Sequence, residues 1–320
     1  MNKNPEVSII VNCFNGELYL RNALDSIFAQ TIDDWEIIFW DNASTDASAK
    51  IAISYGSKLK YYKSKKKVPL GHARKMAVHQ AKGKWIAFLD TDDIWYPHKL
   101  KAQLDSIRDS NYVLCYGGIR EITPEGDSIR NVLPRYKSGN QFAHQLMQFE
   151  INMVTPIVLR SALIENKINF DCSIMASEEY NLFIRLAAKG EFCSLPQILG
   201  EWRISKNSLT FEQIKNWSKE RLYTLKQVTN ENQGIEIRYS DAFREARSRA
   251  TYYLARYLMH VGKLKGARSA LASIKNERWL YFTLWCVAFV PWLWDKIHND
   301  NFKRKVSLFI GIVRKNKIYF

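Results

Sequence analysis

The stretch WIAFLDTDDIWYP, residues 85–97, sets an apolar run directly against a cluster of acids. Residues 85–89 are all bulky or apolar, and a run of that kind reads as a strand buried on both faces. Asp90, Asp92 and Asp93 follow at once. Three carboxylates at the end of a buried strand repel one another unless a positive group sits among them. Oxygen ligands of this type suit a hard divalent cation such as magnesium or manganese. A solvated turn rich in Asp accounts for the same pattern equally well. The cluster by itself leaves both readings open.

Working outward, the preceding segments alternate in pattern. VSIIVNC (7–13), WEIIFW (35–40) and LKYYK (59–63) read as strands. Between them lie helical patterns, one with Leu20, Ala23, Leu24, Ile27 and Phe28 on one face and one with Ala73, Met76, Ala77 and Ala81. Strand–helix alternation predicts a parallel sheet with helices on both faces. Ligands of such sheets collect at the carboxyl ends of the strands. Asn12 to Asn15, Asp41 and Asp90 to Asp93 all fall there, so three polar groups share one rim. Further on, SEEYNLFIRLAAKG (177–190) reads as a helix stopped by Gly190. Beyond Phe211 the pattern is helical, and residues 250–274 read as one helix–turn–helix hairpin with no second copy that would make a repeat array.

The whole chain has 320 residues, 47% apolar and 25% charged, which excludes wholesale disorder and leaves room for one large domain and a smaller one. Its net charge of +15 calls for an anionic partner or surface without choosing among nucleotide, nucleic acid and lipid headgroup. Five scattered cysteines with no CxxC pair suggest neither a zinc site nor a disulfide framework, and a reducing compartment fits. The segment MNKNPEVSII lacks the apolar stretch of a signal peptide, so the expectation is a cytoplasmic protein.

VSIIVNCFN, WEIIFWDNASTD and GHARKMAVHQAKGKWIAFLDTDD occur in this order and spacing, and SEEYNLFIRLAAKG and EWRISKNSLT continue the series. Together they resemble the inverting family-2 glycosyltransferases of bacterial surface-polysaccharide type. The resemblance runs from Val7 to about Thr210. It implies a GT-A fold, α/β with a mostly parallel sheet and flanking helices, followed by a helical C-terminal region. The expected domains are residues 1–215 for the GT-A part and 216–320 for the basic helical part. The implied reaction moves a sugar from a nucleotide-diphosphate donor, with UDP-sugar as the default, to a hydroxyl of a glycan or lipid-linked acceptor.

Residue by residue, the resemblance implies a nucleotide-sugar site of Asn12, Phe14, Asp41, Arg74, Asp90, Trp202 and Arg203. Phe14 stands where the family usually has Tyr against the base, Asp41 matches the acid at the base, and Arg74 matches a basic residue on the nucleotide. Asp92 would be the principal ligand of a manganese or magnesium ion, with Asp90 and Asp93 beside it. Glu179 matches the catalytic base, usually Asp, and its neighbour Glu178 is the substitute. Trp202 and Arg203 match a loop that closes over the donor. Two departures stand out: Ser205 occupies the place of a common histidine, and Asp-Tyr-Asp-Leu-Trp appears as Glu179-Tyr180-Asn181-Leu182-Phe183.

The C-terminal part is basic and aromatic. WLYFTLWCVAFVPWLW (279–294) is uncharged, holds four Trp and is broken by Pro291, short of the roughly 20 apolar residues that span a bilayer. Lys303, Arg304, Lys305, Arg314, Lys315 and Lys317 follow around the apolar run 306–313. Contact with an anionic membrane surface at the inner face of the cell membrane, packing or oligomerisation, and true spanning all remain open. Two rival functions stay in view. A nucleotidyltransferase also holds a metal on an α/β sheet, but no Gly-rich basic loop follows the first strand here. A non-catalytic nucleic-acid or scaffold binder would use the charge, yet the chain contains no recognised recognition module, so no nucleic-acid partner is expected.

Overall fold

In the computed structural model, which describes residues 4–204 and 213–298, the apolar runs become the central strands. The first half contains β1 (Val7–Cys13), α1 (Glu17–Phe28), β2 (Trp35–Asp41), α2 (Ser48–Ile53), β3 (Leu59–Lys63), α3 (Leu70–Gln80) and β4 (Trp85–Phe88). β1, β2 and β4 are buried along their whole length because side chains alternate between two cores. Ile10, Ile38, Trp40, Ile86 and Phe88 face one core, while Ile9, Val11, Ile37, Phe39 and Ala87 face the other.

The chain continues with β5 (Ile94–Trp95), α4 (Lys99–Ile107), β6 (Leu114–Ile122), β7 (Ser128–Val132), α5 (Phe142–Met147), β8 (Ile157–Leu159), α6 (Arg160–Glu165), α7 (Glu178–Ala187) and β9 (Phe192–Arg203). The sheet runs β3-β2-β1-β4-β8-β6-β9-β5, with β7 paired to β6. Its β3-β2-β1-β4 half is parallel, as the alternation predicts. β8 then pairs antiparallel to both β4 and β6, so the second half is mixed. This is the GT-A architecture, with the carboxyl ends of β1, β2 and β4 along one rim.

The helical part comprises α8 (Ile214–Glu231), α9 (Ile235–Arg238), α10 (Ser240–His260), α11 (Leu264–Ile274), α12 (Trp279–Val287) and α13 (Pro291–His298). The sequence suggests a boundary after residue 215, whereas the compact units divide between Ala246 and Arg247, inside α10. α8 belongs to the first unit because it is tied to α7. Arg185 pairs with Glu231 at 2.8 Å, and Asn181 donates to Thr224 and Gln227. In the second unit, α10 and α11 form the expected hairpin, turning at Gly262 with φ +73°, a conformation that costs glycine no Cβ clash. Pro291 opens α13 and separates it from α12. Among the described residues no helix is long and apolar enough to cross a membrane. Ser205 and the basic residues 303–317 lie outside the described residues.

Candidate functional site

The loops that follow β1 and β2 are laced to each other. Asn15 N–H donates to Ser44 Oγ, Gly16 N–H to Ser48 Oγ, and Thr45 N–H to Asn15 Oδ1. Asn15 and Ala43 both take positive φ, 52° and 65°, which sharpens each turn. Gly16 lies against the acidic loop: a Cβ there would come within 2.8 Å of Thr91 Oγ1. The three strand ends therefore form one connected surface.

Asp41 is fully buried at the end of β2. Its carboxylate accepts the Ser44 N–H at 2.7 Å and the Tyr61 hydroxyl at 2.5 Å. Those bonds occupy about half of the four or so acceptor positions of a carboxylate. Phe14 is 41% exposed beside it, with Lys67 Nζ 3.7 Å from its ring centroid. Asn12 is buried, and its Nδ2 has no hydrogen-bond partner among the described residues. The Asn12 amide therefore retains a donor at the end of β1.

The acidic cluster resolves into three different environments. Asp90 is clamped by Arg74, whose Nη2 donates to both carboxylate oxygens at 2.7 and 3.0 Å. Arg74 lies buried on α3, and its Nη1 reaches Glu178 at 3.0 Å. Burial alone would weaken this cation, but the Asp90 and Glu178 charges outweigh it and hold Arg74 protonated. Asp93 is buried and accepts the backbone N–H of Arg203 at 2.9 Å. Burial, and then the charges of Asp92 and Asp90, push its carboxyl well above the usual range. Asp92 is half-buried, and burial followed by the Asp90 charge pushes it up to about 6.

The positive groups among the acids are thus two arginines. The second is Arg203, which is buried at the end of β9. Its Nε donates to the Asp92 carbonyl at 3.0 Å, its Nη1 to the carbonyls of Thr123 and Pro124, and its guanidinium lies 4.3 Å from the Tyr19 ring centroid. The resemblance implies a loop for Trp202 and Arg203. They instead end a strand, paired with Glu121 and Ile122 of β6, and Trp202 packs against the core. The ladder holds both residues in place, so Arg203 braces the acidic loop from behind.

Glu178 and Glu179 begin α7 and point differently, as adjacent helix positions must. Glu178 is buried on Arg74, and Gly71 makes room for it, since a Cβ at Gly71 would stand 3.3 Å from Glu178 Cβ. Glu179 is half-buried, and burial followed by the Glu178 charge pushes it up to about 7. Glu220 of α8 fixes the segment in front of these acids. It accepts from the backbone N–H of Met175 and Ala176 and from Ser177 Oγ. Sequence reasoning misses Glu220 and Tyr61, whereas the Lys63, Lys65, Lys66 and Lys67 run is expected close to the phosphate site. No local signal marks Glu220 or Tyr61 as part of this site.

The donor set can be tested against a divalent ion. Among the described residues no three His, Cys, Asp or Glu side chains gather around one point. Asp93 is enclosed against Arg203 and is no ready ligand, whereas Asp90, though paired with Arg74, keeps a partly exposed side chain and about half of its acceptor positions. Asp92 and the open side of Asp90 offer carboxylate oxygens at the rim. Magnesium and manganese sites that use one or two carboxylates complete their shell with substrate phosphate and water. The residues fit an ion brought with a diphosphate, and do not fit a protein-only cage.

Arg74→Ala would leave Asp90 and Glu178 without their shared buried cation. We expect it to cost about 3–5 kcal/mol, read as a lower urea midpoint, because the remaining charges have no compensation. An unchanged midpoint would mean the network is solvated in solution.

Residues 8–165 match the sequence profile of Glycosyl transferase family 2. An uncharacterised glycosyltransferase of Rickettsia felis is 28% identical over 217 residues, 67% of this chain and 36% of that protein. The chain spans about a third to three-fifths of the length of the curated relatives with the strongest matches. The UDP-Glc:alpha-D-GlcNAc-diphosphoundecaprenol beta-1,3-glucosyltransferase WfgD of Escherichia coli is 25% identical over 67% of this chain and 83% of its own length. In structure, the chain is similar to TarS 1-349 of S. aureus in complex with UDP-GlcNAc. The TM-score is 0.65 at 17% identity, covering 96% of this chain and 92% of that one.

Proposed function

Residues 8–165 belong to glycosyl transferase family 2, and from that premise we propose that the protein transfers a sugar, with inversion, from a nucleoside-diphosphate donor to a hydroxyl of a glycan or lipid-linked acceptor. The observation that supports this reading is that Arg74 joins Asp90, just past β4, to Glu178 at the start of α7, beside the raised carboxyl of Glu179, on the sheet edge where β1 brings Asn12 and Phe14. Phe14 offers the base a flat apolar face next to Asn12, and the enclosed Asp41 holds the loop after β2 through Ser44. UDP is the donor nucleotide of choice: the E. coli relative's name and the S. aureus complex both carry it. The same E. coli name supports an acceptor linked to a lipid diphosphate.

Arg74 ties Asp90 of the acidic loop to Glu178 at the start of α7 and so fixes one relative to the other. Glu179 takes the proton of the attacking hydroxyl. A hydroxyl is a poor nucleophile near neutral pH, and a positioned base is worth about two to four orders of magnitude. Attack from the side opposite the leaving diphosphate inverts the anomeric centre. Asp92 would hold a divalent ion, which, when bound, supplies charge neutralisation to the departing diphosphate. Free thiols at Cys13, Cys115 and Cys193 suit a reducing compartment, and we place the reaction in the cytoplasm.

Calorimetric titration with UDP, GDP, CDP and dTDP, each with and without manganese, tests the reading. We expect UDP to bind, and to bind more tightly with manganese. Failure of every nucleotide to bind the folded protein would remove the donor site. Release of pyrophosphate from a nucleoside triphosphate, in place of nucleoside diphosphate from a nucleotide sugar, would assign nucleotidyl transfer instead.

A further inference from the structure

The nine residues of α12, WLYFTLWCV, are apolar on every side. A helix of that kind is ordinarily enclosed all round. α12 is enclosed on one side only. Tyr281, Leu284 and, just past its end, Ala288 enter the small core of the second unit, with Ala267, Leu271 and Trp294. The opposite stripe is open: Trp279 is 78% exposed, Phe282 49% and Phe289 50%, with Cys286 exposed between them. Spacings of three and four put these positions on one face. The rings are continuous, since Phe282 and Phe289 lie 6.0 and 5.4 Å from Trp285. Trp292, 67% exposed, adds to the open aromatic surface beyond the Pro291 break. Exposed aromatic rings gathered on one face in this way point to an interaction surface.

Charge identifies what the surface meets. Residues 247–320 hold 15 Lys and Arg against three Asp and Glu, so this unit carries +12 of the chain's +15. The described portion, 247–298, holds nine against two. Cations rim the rings themselves, with Lys275 Nζ 4.5 Å from the Trp285 centroid and Arg268 Cζ 4.7 Å from that of Phe289. A second copy of the chain would bring the same strong positive charge against it, which opposes association.

We propose that the open face of α12 and Trp292 seats on the surface of an anionic phospholipid bilayer. The rings enter the headgroup–acyl boundary, and Lys and Arg meet the lipid phosphates. Neither α12 nor α13 crosses the bilayer, being nine and eight residues long. This assignment is independent of the donor site, and either can fail without the other.

The test is sedimentation of the full chain with vesicles of phosphatidylcholine alone and of phosphatidylcholine with phosphatidylglycerol. We expect binding to the anionic vesicles, weakened by added salt, with a blue shift of Trp emission. A triple variant, Trp279→Ser, Phe282→Ser and Trp292→Ser, is expected to bind at least about tenfold more weakly. Its melting curve should match wild type because the three side chains are exposed. Should it misfold, Trp279→Ser alone, the most exposed of the three, still has to weaken binding. The proposal is overturned by no binding to anionic vesicles, by unaltered binding of these variants, or by a dimer that the triple variant abolishes while vesicles are ignored.

Discussion

Replacing Glu179 by Gln is expected to lower the rate of sugar transfer by about two to four orders of magnitude while leaving donor binding within a few-fold of wild type. Gln is nearly isosteric and hydrogen-bonds, but it cannot accept the acceptor's proton. Glu178 is buried and paired with Arg74 at 3.0 Å, so Glu179 is the less engaged of the two. Wild-type turnover should rise with pH through a midpoint near 7, where the Glu179 carboxyl ionises. The Gln variant should lose that limb. Stability moves the other way. The folded protein holds this proton up to about 7, against 4.5 for an ordinary Glu, so wild-type stability falls as pH climbs between those values. Glu179→Gln removes that loss and should be at least as stable as wild type above pH 7. Steady-state rates across pH, with urea melts at each pH, check both halves. A Gln variant with full activity would move the base elsewhere.

Asp92→Asn is the second large effect. We expect transfer to fall by at least about a hundredfold, the scale of removing one stabiliser of developing charge. Manganese should tighten UDP binding to wild type and have no effect on the variant. Removal of metal with EDTA should bring wild type down to the variant's level and leave the variant where it is. Misfolding is not an easy alternative explanation, because burial already raises the Asp92 carboxyl to about 6 and a neutral amide suits that place. Manganese-tightened binding that survives in Asp92→Asn would assign the metal to other residues.

Several features of this site can be read directly from short stretches of sequence. The runs at 7–13, 35–40 and 85–89 are apolar on both alternate faces, and such runs are stable only between two layers. Their polar ends at Asn12, Asp41 and Asp90 therefore had to share a rim once the sheet was parallel. SEEYNLFIRLAAKG carries its own start acids and glycine stop, so the helix bearing Glu178 and Glu179 is a local property. Pro291 likewise interrupts the aromatic segment through its missing N–H, whatever surrounds it.

The partners of the charged groups were a different matter. Three clustered Asp announce that cations are needed without saying which. Arg74 meets Glu178 across 104 residues of chain, and Arg203 meets Asp93 across 110. Nothing in either neighbourhood encodes those meetings. They follow from β9 closing beside β6, and from α7 being held in place by α8. The same closure turns Trp202 and Arg203 from an expected loop into strand, and carries the first compact unit past residue 215 to Ala246. By itself the sequence determined the four strands of the parallel half, their polar ends and the breaks between helices, because periodicity and missing donors act over a few residues. Only the tertiary structure decided which carboxylates are neutralised and which is left at the rim, because that depends on which distant side chains the closed sheet brings within hydrogen-bond reach.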